Sequence, residues 1–147
     1  MTKLEREIHI DAEPQAVYDK LMDPDCLGEW VTIQDKLLEA PDGDLEKGDE
    51  LVQRCKVAGQ RFKLRWKVEQ ADAPHRTVWR GRGPLGSKAH VTYDLAANDG
   101  GTLFTYTNEY DLPGGPLGKL AGKAVIGASG SEADRTLERL KKLIEKG

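Results

Sequence analysis

The chain has 147 residues, with 22 Lys and Arg against 25 Asp and Glu and a net charge of −3. This is a one-domain length, sufficient to bury about 68–70% of the unfolded surface without disulfide or metal staples. The balance excludes wholesale binding to nucleic acid or membranes and leaves room only for a local patch. Cys26 and Cys55 make no C-x-x-C pair, and Met1 to Glu7 contain no apolar signal-peptide core, so the thiols are expected to be reduced and the protein cytoplasmic. No apolar run approaches the roughly 18 residues of a membrane span.

In chain order, Leu4, Ile8 and Ile10 alternate with Glu5, Glu7 and His9, which predicts a strand with one buried face. Arg6 shares the apolar parity, so its side chain either reaches the rim or enters a wet interior. Asp11 is an N-cap by residue type, and Pro14 suits the first turn of a helix that Pro24 stops near Met22. Asp25 to Glu29 form a second short helical turn leading to Trp30. Six strands follow, over Val31–Leu38, Asp49–Val57, Arg61–Gln70, Arg76–Arg82, Ser87–Ala97 and Thr102–Tyr110. Pro41-Asp42-Gly43-Asp44, Ala58-Gly59-Gln60 and Asp72-Ala73-Pro74 punctuate them, and Asn98-Asp99-Gly100-Gly101 is the strongest hairpin signal in the chain.

Pro113-Gly114-Gly115-Pro116 ends the run of strands. Beyond it Ala133, Leu137, Leu140 and Ile144 form one helical stripe, Ser129 or Ser131 is a cap by type, and Lys141, Lys142 and Lys146 sit where a helix C-terminus favours cations. Gly118, Gly122, Gly127 and Gly130 each disfavour helix by roughly 1 kcal/mol against alanine, which predicts a helix weak or broken at Ser129-Gly130. Strands followed by a long helix make an α+β domain, with the helix laid across one curved antiparallel sheet of seven strands.

A two-residue period sorts the side chains into faces. The inner sets are Phe62, Leu64, Trp66 and Val68; Ala89, Val91, Tyr93 and Leu95; and Phe104, Tyr106, Asn108 and Tyr110. Val78 is taken as inward, which puts Arg80 and Arg82 inward too, unless the parity shifts at Gly81 and solvates both. Arg61, Lys63, Arg65 and Lys67 fall on the outer face, extended by Arg54 and Lys56.

The order of one strand, two short helices, six strands and a long helix resembles the START-related helix-grip superfamily of polyketide cyclase/dehydrase-like and lipid-transfer proteins (SRPBCC). The residues that carry the likeness are Ile10 to Tyr18, Asp23-Pro24, Glu29-Trp30, Val91-Thr92-Tyr93-Asp94-Leu95, Gly100-Gly101-Thr102 and Glu109 to Gly115. The likeness covers nearly the whole chain and is read as a single domain over 1–147. A toxin-labelled bacterial branch of the same fold is similar around Glu29-Trp30-Val31-Thr32-Ile33. The resemblance implies a cavity between sheet and long helix that takes a small lipophilic molecule. The superfamily has no fixed catalytic set to carry over.

The residues themselves agree with a cavity. Trp30, Phe62, Trp66, Tyr93, Tyr106 and Tyr110 supply bulky inward walls, while Gly118, Ala121, Gly122, Ala124, Gly127 and Ala128 offer little volume opposite them. The competing reading is a solid aromatic core closed by a close-packed helix. Arg80 and Asn108 are candidate polar contacts, since a buried arginine requires a partner or an anionic ligand. Gly81-Arg82-Gly83-Pro84-Leu85-Gly86 matches G-x-G-x-x-G, but a strand follows where the dinucleotide motif needs a helix, so no nucleotide cofactor is expected. His9, His75 and His90 are too scattered for a metal.

Three functions compete on these grounds. The first is binding of a small hydrophobic or aromatic molecule. The second is a cyclase- or dehydratase-type enzyme on a polyketide-like substrate, which lacks an inward His, Asp or Glu unless Glu109 or Asp94 turns in. The third is a toxin-like or regulatory module whose outer face, Arg61, Lys63, Arg65 and Lys67, meets RNA or an acidic protein.

Overall fold

The computed structural model describes residues 2–57, 59–111 and 116–146, with the side chains of all of these except Thr2, Val57, Leu85 and residues 116–129. The elements run β1 (Thr2–Ile10), α1 (Pro14–Leu21), α2 (Leu27–Trp30), β2 (Gln34–Glu39), β3 (Glu50–Val57), β4 (Gln60–Asp72), β5 (Arg76–Arg82), β6 (Lys88–Asn98), β7 (Gly101–Asp111) and α3 (Pro116–Lys146). The strands form one curved antiparallel sheet in the order β1-β7-β6-β5-β4-β3-β2. Hairpin neighbours pair in sequence from β2 to β7, and β1 closes on β7. The architecture is the α+β helix-grip arrangement expected from the element order.

The tight β6–β7 turn shows why composition was a good guide. Asn98 pairs with Gly101. Asp99 and Gly100 between them both hold positive φ, at 46° and 78°. This is the two-residue turn whose twist matches the strands, and it favours Asp-Gly. Its register then aligns Val91 with Asn108, Tyr93 with Tyr106 and Leu95 with Phe104, so three inward pairs stack along one face.

Several expectations need correcting. Asp11 does not cap α1. Glu13 is the N-cap residue without a side-chain cap bond, and the Asp11 N–H instead donates to Glu145 Oε2 at 2.8 Å. The second strand begins at Gln34, not Val31, because Val31 still closes α2 with an N–H to Leu27 O bond of 2.8 Å. The last helix is not broken at Ser129-Gly130, and neither serine begins a helix, since α3 runs unbroken from Pro116 to Lys146. Gly130 has a packing role there: a Cβ would lie 3.3 Å from Arg6 Nη2. Arg6 does reach the rim, and its Nε donates to Asp134 Oδ1 at 2.9 Å. Tertiary contacts thus carry α3 past its weak propensity. The expected glycine–alanine face of α3 lies outside the described residues.

The core joins both layers. Ala133, Leu137 and Leu140 of α3 are buried, as are Ile10, Val17, Leu21, Trp30, Leu51, Val68 and Phe104. α3 packs on β1, β3, α1 and α2, so the sheet curves around its C-terminal half.

Candidate functional site

A cavity of about 120 Å³ lies between the inner face of the sheet and the C-terminal half of α3. Trp30 and Val31 at the end of α2 bound it on one side, and Trp66, Trp79, Tyr93, Tyr106 and Asn108 rise from β4 to β7. Glu132, Ala133, Thr136 and Leu137 come from α3, one helical turn apart in pairs and hence on one face.

The rings support one another. Tyr93 is central: its centroid lies 6.3 Å from Trp30, 5.8 Å from Trp79, 5.6 Å from Phe104 and 5.8 Å from Tyr106. Trp66 meets Trp79 edge-on at 6.2 Å. Hydrogen bonds fix the polar ends of two of them. Trp66 Nε1 donates to Gln53 Oε1 at 2.7 Å, and Gln53 Nε2 donates in turn to Gln34 Oε1 at 2.6 Å. Trp79 Nε1 donates to Thr77 Oγ1 at 2.9 Å. Trp30 Nε1, Asn108 Oδ1 and Tyr110 Oη are buried without a partner among the described residues, an uncommon state for buried polar atoms.

Hydroxyls tie the chain after α2 to α3. Thr32 N–H donates to Thr136 Oγ1 at 3.0 Å, and Thr32 Oγ1 donates to the Glu132 carbonyl at 3.2 Å. The α2–β2 connection is therefore tied to the α3 face that carries Glu132 and Thr136.

Burial raises the pKa of both central phenols. Tyr93 rises well above the ordinary phenol value, mainly by desolvation with the Tyr106 phenol adding to it. Tyr106 is pushed up to about 12 by desolvation, partly offset by a side-chain hydrogen bond with Asn108. Both are neutral phenols at physiological pH.

The expected site residues divide. Trp30, Trp66, Tyr93, Tyr106 and Asn108 line the cavity together. Phe62 is half-buried, and Tyr110 is buried 7% exposed beside Ala89; neither is among the lining residues. Arg80 does not point inward. It is exposed on the outer face and pairs with Glu69 at 3.2 Å. Arg82 is outward as well. The error came from anchoring β5 on Val78, which is buried on the outer side opposite Thr92 and Gln70. The inward residues of β5 are Thr77, Trp79 and Gly81, opposite Tyr93, Val91 and Ala89. Trp79 was legible as an inward residue only through that register: it faces Val68 on one side and Val91 on the other. Glu132 was also missed, because on a helical stripe it reads as a solvent-side neighbour of Ala133.

The outer face carries mixed charge. Asp35 holds Arg54 at 2.6 Å and Arg61 at 3.4 Å, and Glu39 lies 3.8 Å from Arg65. Those arginines keep the Asp35 carboxyl below its usual range, Arg54 foremost. Glu109 and Asp94 stay outward, Glu109 opposite His90 and Asp94 paired with Arg76 at 3.2 Å.

Comparison with known proteins agrees with this geometry. The family model described as polyketide cyclase / dehydrase and lipid transport matches residues 1–145. An uncharacterized protein of Mycobacterium tuberculosis is 30% identical over 131 residues, covering 86% of this chain and 90% of its own. Among solved structures, TTHA0849 from Thermus thermophilus superposes with a TM-score of 0.82 at 20% identity, over 99% of this chain and 98% of its own. A conserved protein from Geobacillus kaustophilus gives 0.76 at 20% identity, over 99% and 96%. These two structural likenesses concern the fold.

Proposed function

From the premise that the chain belongs to the polyketide cyclase/dehydrase and lipid-transport family, we propose that it binds a small hydrophobic molecule of about one ring between the sheet and α3. The observation that carries this reading is the cavity itself: about 120 Å³, walled by five aromatic side chains and lined from α3 by Ala133 and Leu137. Apolar cavities of about 150 Å³ hold benzene or xenon, and pockets for drug-sized ligands begin near 300 Å³. A space of this order suits a single ring or short branched chain better than a polycycle or long acyl chain. Trp30, Trp66, Tyr93 and Tyr106 supply the contact area, with Asn108 Oδ1 and Trp30 Nε1 as polar atoms without a partner among the described residues.

The test is titration of the intact chain with toluene, p-cresol and palmitate, followed by tryptophan fluorescence and thermal melting. Three of the lining residues are tryptophans, so occupancy changes emission. At a hundredfold excess over Kd a ring-sized ligand is expected to add about 2.7 kcal/mol, several degrees in Tm. No response to either ring-sized compound at millimolar concentration rejects the reading.

A further inference from the structure

We propose that this cavity selects a small lipophilic amine, held as its ammonium ion between Glu132 and the surrounding rings. The inference rests on the ligand-binding reading above and names the class of molecule the site prefers. Among the described lining residues there is no Lys, Arg or His, and Glu132 is the one carboxylate. The remaining walls are aromatic or aliphatic apart from Gln53, Asn108 and Thr136. Gln53 is engaged with Trp66 and Gln34, and Thr136 with Thr32.

The described lining favours a cation over an anion. Aromatic faces present the negative lobe of a quadrupole, which attracts an ammonium within about 6 Å, more strongly when it is desolvated. The phenols of Tyr93 and Tyr106, kept protonated by burial, donate their own electron-rich rings without adding charge. Glu132 supplies the counter-ion. Its side chain is 23% exposed, and its ion-pair partner among the described residues is Arg135 at 3.2 Å, whose side chain is 67% exposed. A solvated pair of that kind is weak and readily shared. The Thr32 hydroxyl holds the Glu132 backbone in place, and Glu132 lines the cavity with its side chain 23% exposed. There an ammonium keeps part of its water while its apolar body fills the ring-lined interior. A carboxylate guest meets the opposite case, with one like charge and no cation among the described lining residues to receive it. The cations that would suit it, Arg65, Lys67, Arg80 and Arg82, line a groove on the other side of the sheet.

Four ring-sized probes of nearly equal volume separate the possibilities: toluene, benzyl alcohol, benzylamine and benzoate, each titrated by calorimetry and NMR into the wild-type chain near pH 7. Benzylamine is expected to bind about tenfold more tightly than benzyl alcohol, with benzoate weakest, and the amine preference to shrink with added salt. Glu132→Gln is expected to bring amine and alcohol to within about twofold of each other. Toluene and benzyl alcohol binding as well as benzylamine, or benzoate binding as well as either, overturns the inference and leaves the ligand-binding reading intact. An amine preference that survives in Glu132→Gln also overturns it. Failure of all four probes overturns the ligand-binding reading and this inference with it. The wild-type series alone decides between these outcomes, whether or not the variant folds.

Discussion

Gly81 decides where Trp66 can lie. The two are cross-strand partners on the inner face, and a Cβ at Gly81 would approach the Trp66 ring to 2.7 Å. The indole therefore covers the glycine, and its Nε1 is drawn to Gln53. Gly81→Ala forces the ring toward the cavity and is expected to lower the unfolding free energy by about 1–3 kcal/mol and weaken ring-sized ligands. Chemical denaturation and ligand titration read both; unchanged values mean that Trp66 has slack the geometry does not show. The two cysteines make a second residue-scale case. Burial, with help from Asp23, pushes the Cys26 thiol up to about 11, and burial pushes Cys55 up to about 12. Since only the thiolate reacts, iodoacetamide at pH 7.5 should modify folded Cys26 about a hundredfold more slowly than a free thiol, and Cys55 more slowly still. Mass spectrometry of alkylated native protein, compared with protein in denaturant, checks this; equal rates contradict it.

The contact between α3 and the start of the chain is the corresponding feature at the scale of elements. Glu145 accepts from the Asp11 N–H at 2.8 Å and from Lys141 Nζ at 2.7 Å, and Lys141 also donates to the His9 carbonyl at 2.8 Å. This clamps the last turns of α3 to the corner where β1 becomes α1. The Lys141 hydrogen bond foremost, and then the Asp11 N–H, hold the Glu145 carboxyl below its ordinary range. A carboxyl depressed in the folded state stabilises above its unfolded pKa, and that contribution disappears as the pH falls through the folded pKa. Glu145→Gln should therefore melt below wild type at pH 7, and the gap should close on acidification below the carboxylate range. A gap that is independent of pH would mean the charge is not what matters at that corner.

Across the whole molecule the sheet separates two chemical environments. Its inner face is aromatic and enclosed, and its outer face interleaves arginines and lysines with Asp35, Glu39, Glu69 and Asp94. Exposed pairs of this kind contribute little each and are screened by salt. The ligand-binding proposal concerns the inner side, where aromatic rings line the cavity. Filling that cavity tests the proposal. Ala133 is 8% exposed and lines the cavity from α3. Ala133→Leu should abolish binding of toluene and p-cresol while leaving stability unchanged or raised by about 1 kcal/mol, because added methyl groups replace empty space. Undiminished binding in a folded Ala133→Leu protein would locate the ligand elsewhere.

Local pattern alone was enough to read the seven strands, the short helices before the second of them, the terminal helix and most of the inner face. Those features follow from local rules: a period of two or of 3.6 residues, proline at a first turn, Asp-Gly in a two-residue hairpin. Trp30, Trp66, Tyr93, Tyr106 and Asn108 were readable as inward for the same reason. The remainder came from contacts across the fold. Val78 and Trp79 are both apolar neighbours, so alternation in β5 has two possible phases, and the pairing of Trp79 with Val68 and Val91 chose between them and sent Arg80 outward. The unbroken course of α3 past Gly130 depends on Arg6 and the sheet beneath it. Glu132 lines the cavity from a turn of α3 that Thr32, 100 residues earlier in the chain, fastens in place. Each of these is a contact between distant residues, and local periodicity carries no information about those.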